Sequence, residues 1–135
     1  MQQTNVKKGS IRILAGDTLT GKEGYLVKIK NASGVAKAYL PEAVTDIAAY
    51  VVLEGAAAGS LCTIAPLVPD QQVRVVALDT TFTPGSKVIA YAAAGPGAAS
   101  AYASGAAFIV GVAEETGDTA GQQLLIRPLL SYWTA

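Results

Sequence analysis

Gly59-Ser60-Leu61-Cys62-Thr63-Ile64-Ala65-Pro66-Leu67 and Gly121-Gln122-Gln123-Leu124-Leu125-Ile126-Arg127-Pro128-Leu129 are two versions of one pattern, set 62 residues apart. Each opens on Gly, runs through apolar residues and ends in Pro-Leu. A periodicity of that length marks a repeated supersecondary unit. Further matches lie upstream. Val52-Leu53-Glu54 corresponds to Val112-Ala113-Glu114, and Asp17-Thr18-Leu19-Thr20-Gly21 with Leu26-Val27 corresponds to Thr80-Thr81-Phe82-Thr83-Pro84-Gly85 with Val88-Ile89.

Working outward from the repeat, the segments are short, rich in Val, Ile, Leu, Thr and Tyr, and punctuated by Gly and Pro. That is strand patterning, with no long amphipathic helix. Strands are expected at residues 11–14, 25–30, 36–40, 49–53, 61–65, 72–77, 87–91, 107–113 and 124–128. Turn chemistry separates them at residues 21–24, 31–34, 55–59 and 83–86. Residues 92–105, mainly Ala, Gly and Ser, read as a loop around a hairpin.

Four strands per half are too few to close a core. The fold class expected is therefore all-β. The repeat halves, residues 16–67 and 79–130, would pack as one β-sandwich or β-barrel with pseudo-two-fold character. That single domain would span residues 16–135, preceded by an extended N-terminal arm over residues 1–15.

Of the 135 residues, 51% are hydrophobic and only 15% charged. Ordinary domains carry roughly a quarter charged residues. So low a charge leaves apolar surface exposed, which marks contact with partners. The net charge is zero but unevenly spread. Residues 1–37 hold Lys7, Lys8, Arg12, Lys22, Lys28, Lys30 and Lys37 against Asp17 and Glu23, a net +5; the remainder carries −5. Such polarity favours association between unlike surfaces, including copies of the same chain. Only Tyr25 interleaves the basic residues, so nucleic acid is not expected as a partner.

The chain contains no His, which excludes Ser-His-Asp and Cys-His catalysis and any imidazole-ligated metal. The single Cys62 lies in an apolar run and reads as a buried small hydrophobe. Glu114, Glu115 and Asp118 lack the alternating spacing of a calcium loop and read as a solvated acidic turn. Lys28 and Lys30 sit within a strand and not at the hairpin tip a lipoyl acceptor needs. Gly95-Pro96-Gly97 has no following Gly-Lys-Ser/Thr of a phosphate loop. No enzymatic activity, cofactor or metal is expected. No run is long enough for a membrane helix, and the polar start, Met1-Gln2-Gln3-Thr4-Asn5, is unlike a signal peptide, so synthesis in a bacterial cytoplasm is expected.

The order of these elements resembles a family of capsid decoration (cement, head-stabilisation) proteins of tailed bacteriophages. The residues that carry the likeness are Gly16-Asp17-Thr18-Leu19 with Gly24-Tyr25-Leu26-Val27-Lys28-Ile29, and Glu54-Gly55-Ala56-Ala57-Ala58-Gly59. Phe82-Thr83-Pro84-Gly85-Ser86-Lys87-Val88 and Val110-Gly111-Val112-Ala113 with Gly121 complete the set. The likeness spans residues 9–130; Ala48-Ala49-Tyr50-Val51 departs from the family's usual Gly-Val-Ala. It implies a β-rich structural protein on the exterior of the virion. It also implies clustering as homotrimers and reinforcement of the shell by bridging subunits of the major capsid protein.

On that reading the arm would add a strand to a neighbouring sheet edge. Asn5, Val6, Lys7, Lys8, Ile11, Arg12 and Ile13 would then form the capsid or subunit interface, joined by the aromatic tail residues Tyr132 and Trp133. Two alternatives are a carbohydrate-binding module using Tyr91, Tyr102 and Tyr132, and a head-fibre, neck or tail component built on the same kind of domain.

Overall fold

The computed structural model describes residues 9–79, 81–117 and 119–133, the side chain of Trp133 excepted. Its regular elements are all strands: β1 (Ile11–Ala15), β2 (Leu26–Ala32), β3 (Val35–Tyr39), β4 (Tyr50–Glu54), β5 (Leu61–Pro66), β6 (Val73–Val76), β7 (Lys87–Ile89), β8 (Ser100–Ala101), β9 (Ala107–Ala113) and β10 (Gln123–Trp133). The expected all-β class is the one observed.

The first five strands close on themselves in the order β1-β3-β2-β4-β5. The ring is completed by β1, which runs parallel to β3 on one side and antiparallel to β5 on the other. Alternation supplies the core. Val27, Ala38, Val52, Cys62 and Ile64 point inward and pack with Ala15 and Leu19, all of them 1% exposed or less. Alanines at two of these places suit the narrow interior of a five-stranded ring.

The second five strands repeat the circuit as β6-β10-β9-β7-β8. With β6 matched to β1 and β10 to β5, this is the order of the first barrel. The sheet is not a closed ring: it curls into a half-barrel, called the second barrel below, whose edges touch at one parallel bridge, Ala77 to Ala99. The equivalent contact in the first barrel is Ala15 to Ala38. The backbone bonds repeat as well. Gly16 N–H donates to Ala38 O at 2.7 Å and Leu78 N–H to Ala99 O at 2.8 Å; Gly59 N–H donates to Ala15 O at 2.8 Å and Gly121 N–H to Ala77 O at 2.7 Å.

Two expectations change. The first half does close its own core, because its strands number five and not four; the second curls without closing and completes its core with residues of the first. One missing strand was β1, assigned to the arm; its pairing with β5 from Ile11 and with β3 at Leu14 and Ala15 makes it part of the ring. The other was β8, hidden in the Ala/Gly/Ser stretch. The register of the repeat also shifts. Val52 N–H bonds Tyr25 O and its carbonyl receives Gly24 N–H; Ala113 makes the same two bonds with Ser86 and Gly85. Val52 therefore corresponds to Ala113, not Val112, and Val27 to Val88. Gly24 and Gly85 both have positive φ, 85° and 92°, the backbone that glycine alone adopts without strain.

The barrels are joined by backbone as well as side chains. Leu26 N–H donates to Gly97 O at 2.7 Å, Val76 N–H to Gly24 O at 3.0 Å and Phe108 N–H to Val44 O at 2.9 Å. Leu26, Ala48, Val51 and Leu67 of the first barrel belong to the core cluster of the second. Cross-strand register places Leu26, Val51 and Ala65 in one row on the first barrel's outer wall, which the second barrel covers. The same row on the second barrel reads Lys87, Val112 and Arg127.

Candidate functional site

The expected interface residues fall into two groups. Asn5, Val6, Lys7 and Lys8 lie outside the described residues. Ile11, Arg12 and Ile13 are in β1, opposite Ile64, Thr63 and Cys62 of β5. Ile13 packs against the core of the first barrel and is not offered to a partner, whereas Arg12 is exposed. The edge of β1 towards β5 is paired from Ile11 to Leu14, and the edge towards β3 at Leu14 and Ala15.

Tyr132 and Trp133 end β10, opposite Phe108 and Ala107 of β9. The Tyr132 ring meets Phe108 edge-on, 5.2 Å between centroids, and its hydroxyl donates to Thr45 O at 3.0 Å. This ties the end of the second barrel to the first, although the side chain remains 55% exposed.

A groove of about 550 Å³ runs between the barrels. Val51, Leu53, Ala65, Leu67, Val73 and Pro128 form its apolar wall; Asp70, Gln71 and Gln72 sit on the rim. Gly9 and Ser10 also line it, so the chain enters β1 from this groove, beside the middle of β10. Beyond the groove lies the open wall of the first barrel formed by β3, β1 and β5. Register aligns Lys37, Leu14 and Leu61 in one row of that wall, and Arg12 with Thr63 in the next.

Part of the charge split seen in sequence dissolves into local pairs. Lys28 Nζ lies 2.7 Å from Asp46 Oδ2 and 3.5 Å from Glu42 Oε1, and Lys30 Nζ lies 3.0 Å from Glu42 Oε1. Burial acts to raise the Asp46 carboxyl, but Lys28 and the Glu42 and Ala43 N–H groups outweigh it and hold the group below its usual range. The hydrogen bond to Lys30 lowers Glu42 and raises Lys30 in turn. On the second barrel Arg74 pairs with Glu115 at 3.3 Å and Arg127 with Glu114 at 3.2 Å. Glu114 and Glu115 are thus ion-paired, not a free acidic turn.

Cys62 is buried in the first barrel, and burial pushes its thiol upward, away from the reactive thiolate. Among the described residues no three His, Cys, Asp or Glu side chains cluster as metal ligands. No helix among the described residues is long and apolar enough to cross a membrane. The three tyrosines expected for a sugar site stand apart. Tyr102 donates to Gly105 O beneath Lys87, Tyr132 is held by Thr45, and Tyr91 lines a shallow depression with Asp17 and Glu42. What the described residues offer is a fused body with a groove and a wall on which Leu61 and Arg12 are exposed. Comparison with protein-family models and with curated proteins returned no match.

Proposed function

We propose that the chain is a structural virion protein that binds the outside of a tailed-phage capsid. There it would stabilise the shell by bridging major capsid protein subunits, with copies clustering as homotrimers. One observation carries this reading. Large apolar side chains are exposed on both barrels of one small, fused body: Ile11, Val35, Ile47, Leu53 and Leu61 on the first, Leu129, Leu130 and Tyr132 on the second. Scattered apolar residues are ordinary, but exposure on both barrels of one fused body suits a part that touches more than one neighbour. Repetition over a lattice would then convert weak contacts into strong retention.

The residues that carry the family resemblance support the reading in a second way, since they occupy fold-determining places. Asp17 caps the end of β3, and Gly24, Gly59, Gly85 and Gly121 all hold positive-φ turns. The test is copy number in purified particles by quantitative mass spectrometry. Hundreds of copies per particle are expected; a dozen or fewer would place the chain at the neck or tail and overturn the bridging role.

A further inference from the structure

The duplicated barrel supplies its own control, because each wall position of the first barrel has a counterpart on the second. Arg12, opposite Thr63 on β5, corresponds to Arg74, opposite Leu125 on β10. Arg74 is neutralised by Glu115, whose carboxylate also receives the Leu125 N–H. Arg12 and Lys37 make no ion pair among the described residues, although Glu54 lies in the same cross-strand row as Arg12. Leu61, 53% exposed, corresponds to Gln123. Leu53, 51% exposed, stands at the groove where the second barrel carries Glu114. At three matched places, therefore, the second wall is polar or internally paired, while the first carries exposed Leu53 and Leu61 and an Arg12 without an ion pair among the described residues.

We propose that this wall of β1, β3 and β5, continued by Leu53 of β4 at the groove, is the surface by which the chain docks, and that its partner is an acid-rimmed apolar patch on the major capsid protein. The inference rests on the capsid reading and locates its contact. Leu61 with the half-buried Leu14, and Leu53 at the groove side, provide the apolar surface to be desolvated; Arg12 and Lys37 flank it and meet the carboxylates. Interfaces place apolar anchors centrally and charge at the rim, where charge sets the association rate and its salt dependence. Two cations are too few to hold a phosphate backbone, where six to ten contacts are usual.

The experiment uses the full chain and shells of the parent phage that lack it, with binding followed by co-sedimentation at 50 and 300 mM salt. The wild type binds, more weakly at high salt. The Arg12→Glu/Lys37→Glu variant binds roughly tenfold or more weakly with its salt dependence flattened, and Leu61→Asn weakens binding at both salt levels. Arg74→Gln, the matched position on the other barrel, binds as the wild type does. Circular dichroism melts of all variants establish that they are folded.

If the wild type binds and Arg12→Glu/Lys37→Glu binds equally with unchanged salt dependence, the capsid reading stands and this wall is overturned. If the wild type does not bind shells, the capsid reading falls and the assignment falls with it. If light scattering shows a wild-type oligomer that the double variant loses, the wall joins copies of this chain, which also overturns the proposal.

Discussion

The Asp17 carboxylate accepts the backbone N–H of Leu40 at 2.9 Å, and Asp79 does the same for Ala101 at 3.0 Å. Each Asp follows the first strand of its barrel, and each fixes the chain just after or within the third (β3 or β8). These two strands run parallel in the first barrel and nearly meet in the second. The carboxylate therefore reinforces the seam where the ring closes.

Hydrogen bonds to a charged group contribute about 1.5–3 kcal/mol. Asp17→Ala and Asp79→Ala should each lower the stability of the folded protein by that amount. Urea unfolding checks it, and a loss below about 0.5 kcal/mol at both sites would show that the seam does not depend on them.

The two seams are packed differently. In the first, Gly16 lies under the Tyr39 ring, and a Cβ at Gly16 would run into that ring. In the second, Leu78 takes the place of Gly16 and Ser100 that of Tyr39. Gly16→Leu alone should cost about 1–3 kcal/mol by overpacking. Adding Tyr39→Ser should recover part of the loss, giving a favourable coupling of about 0.5–3 kcal/mol in a double-mutant cycle. Strict additivity would show that the two seams are not interchangeable solutions.

Acid should weaken the first barrel through Asp46. Its folded carboxyl titrates below the usual Asp value of about 3.9. The stabilisation is thus fully present above that unfolded value and is lost as pH falls through the folded one. Urea midpoints measured from pH 7 to pH 3 should drop in the lower part of this range. Lys28→Met should make the acid-induced drop shallower, because Lys28 donates to Asp46 at 2.7 Å.

Cys62 should resist alkylation in the native protein and react on unfolding, since it is 1% exposed and its thiol is raised by burial. Labelling by iodoacetamide across a urea gradient should follow the circular dichroism transition. Rapid labelling without urea would place the thiol at the surface.

How much of this was legible in sequence depended on the kind of signal. Val, Ile and Leu runs between Gly turns marked nine of the ten strands, and residues 107–113 matched β9 at both ends. β8 was not legible, because Ser100 and Ala101 have no strand character of their own and pair with β7 only through the surrounding fold. The repeat was visible, but its register was displaced by one residue at β4 and β9. Identical letters drew Val52 to Val112, whereas the inward-facing counterpart is Ala113. Closure was invisible for a related reason. The pairing of β1 with β3 joins Leu14 to Lys37 and Ala15 to Ala38, residues far apart in the chain with no pattern in common. Of the candidate interface, Arg12 kept its exposure while Ile13 turned inward, a distinction that period-two alternation fixes only once the inward face of β1 is known.

The row Lys87, Val112 and Arg127 has a consequence for growth. Its counterpart, Leu26, Val51 and Ala65, is the connector by which one barrel accepts the next. Had the second barrel kept that connector, every molecule would end in a socket matching the one its own second barrel fills. Head-to-tail addition without closure leads to fibres. The ammonium and guanidinium groups at the two ends of the row would charge such a socket and disfavour that addition.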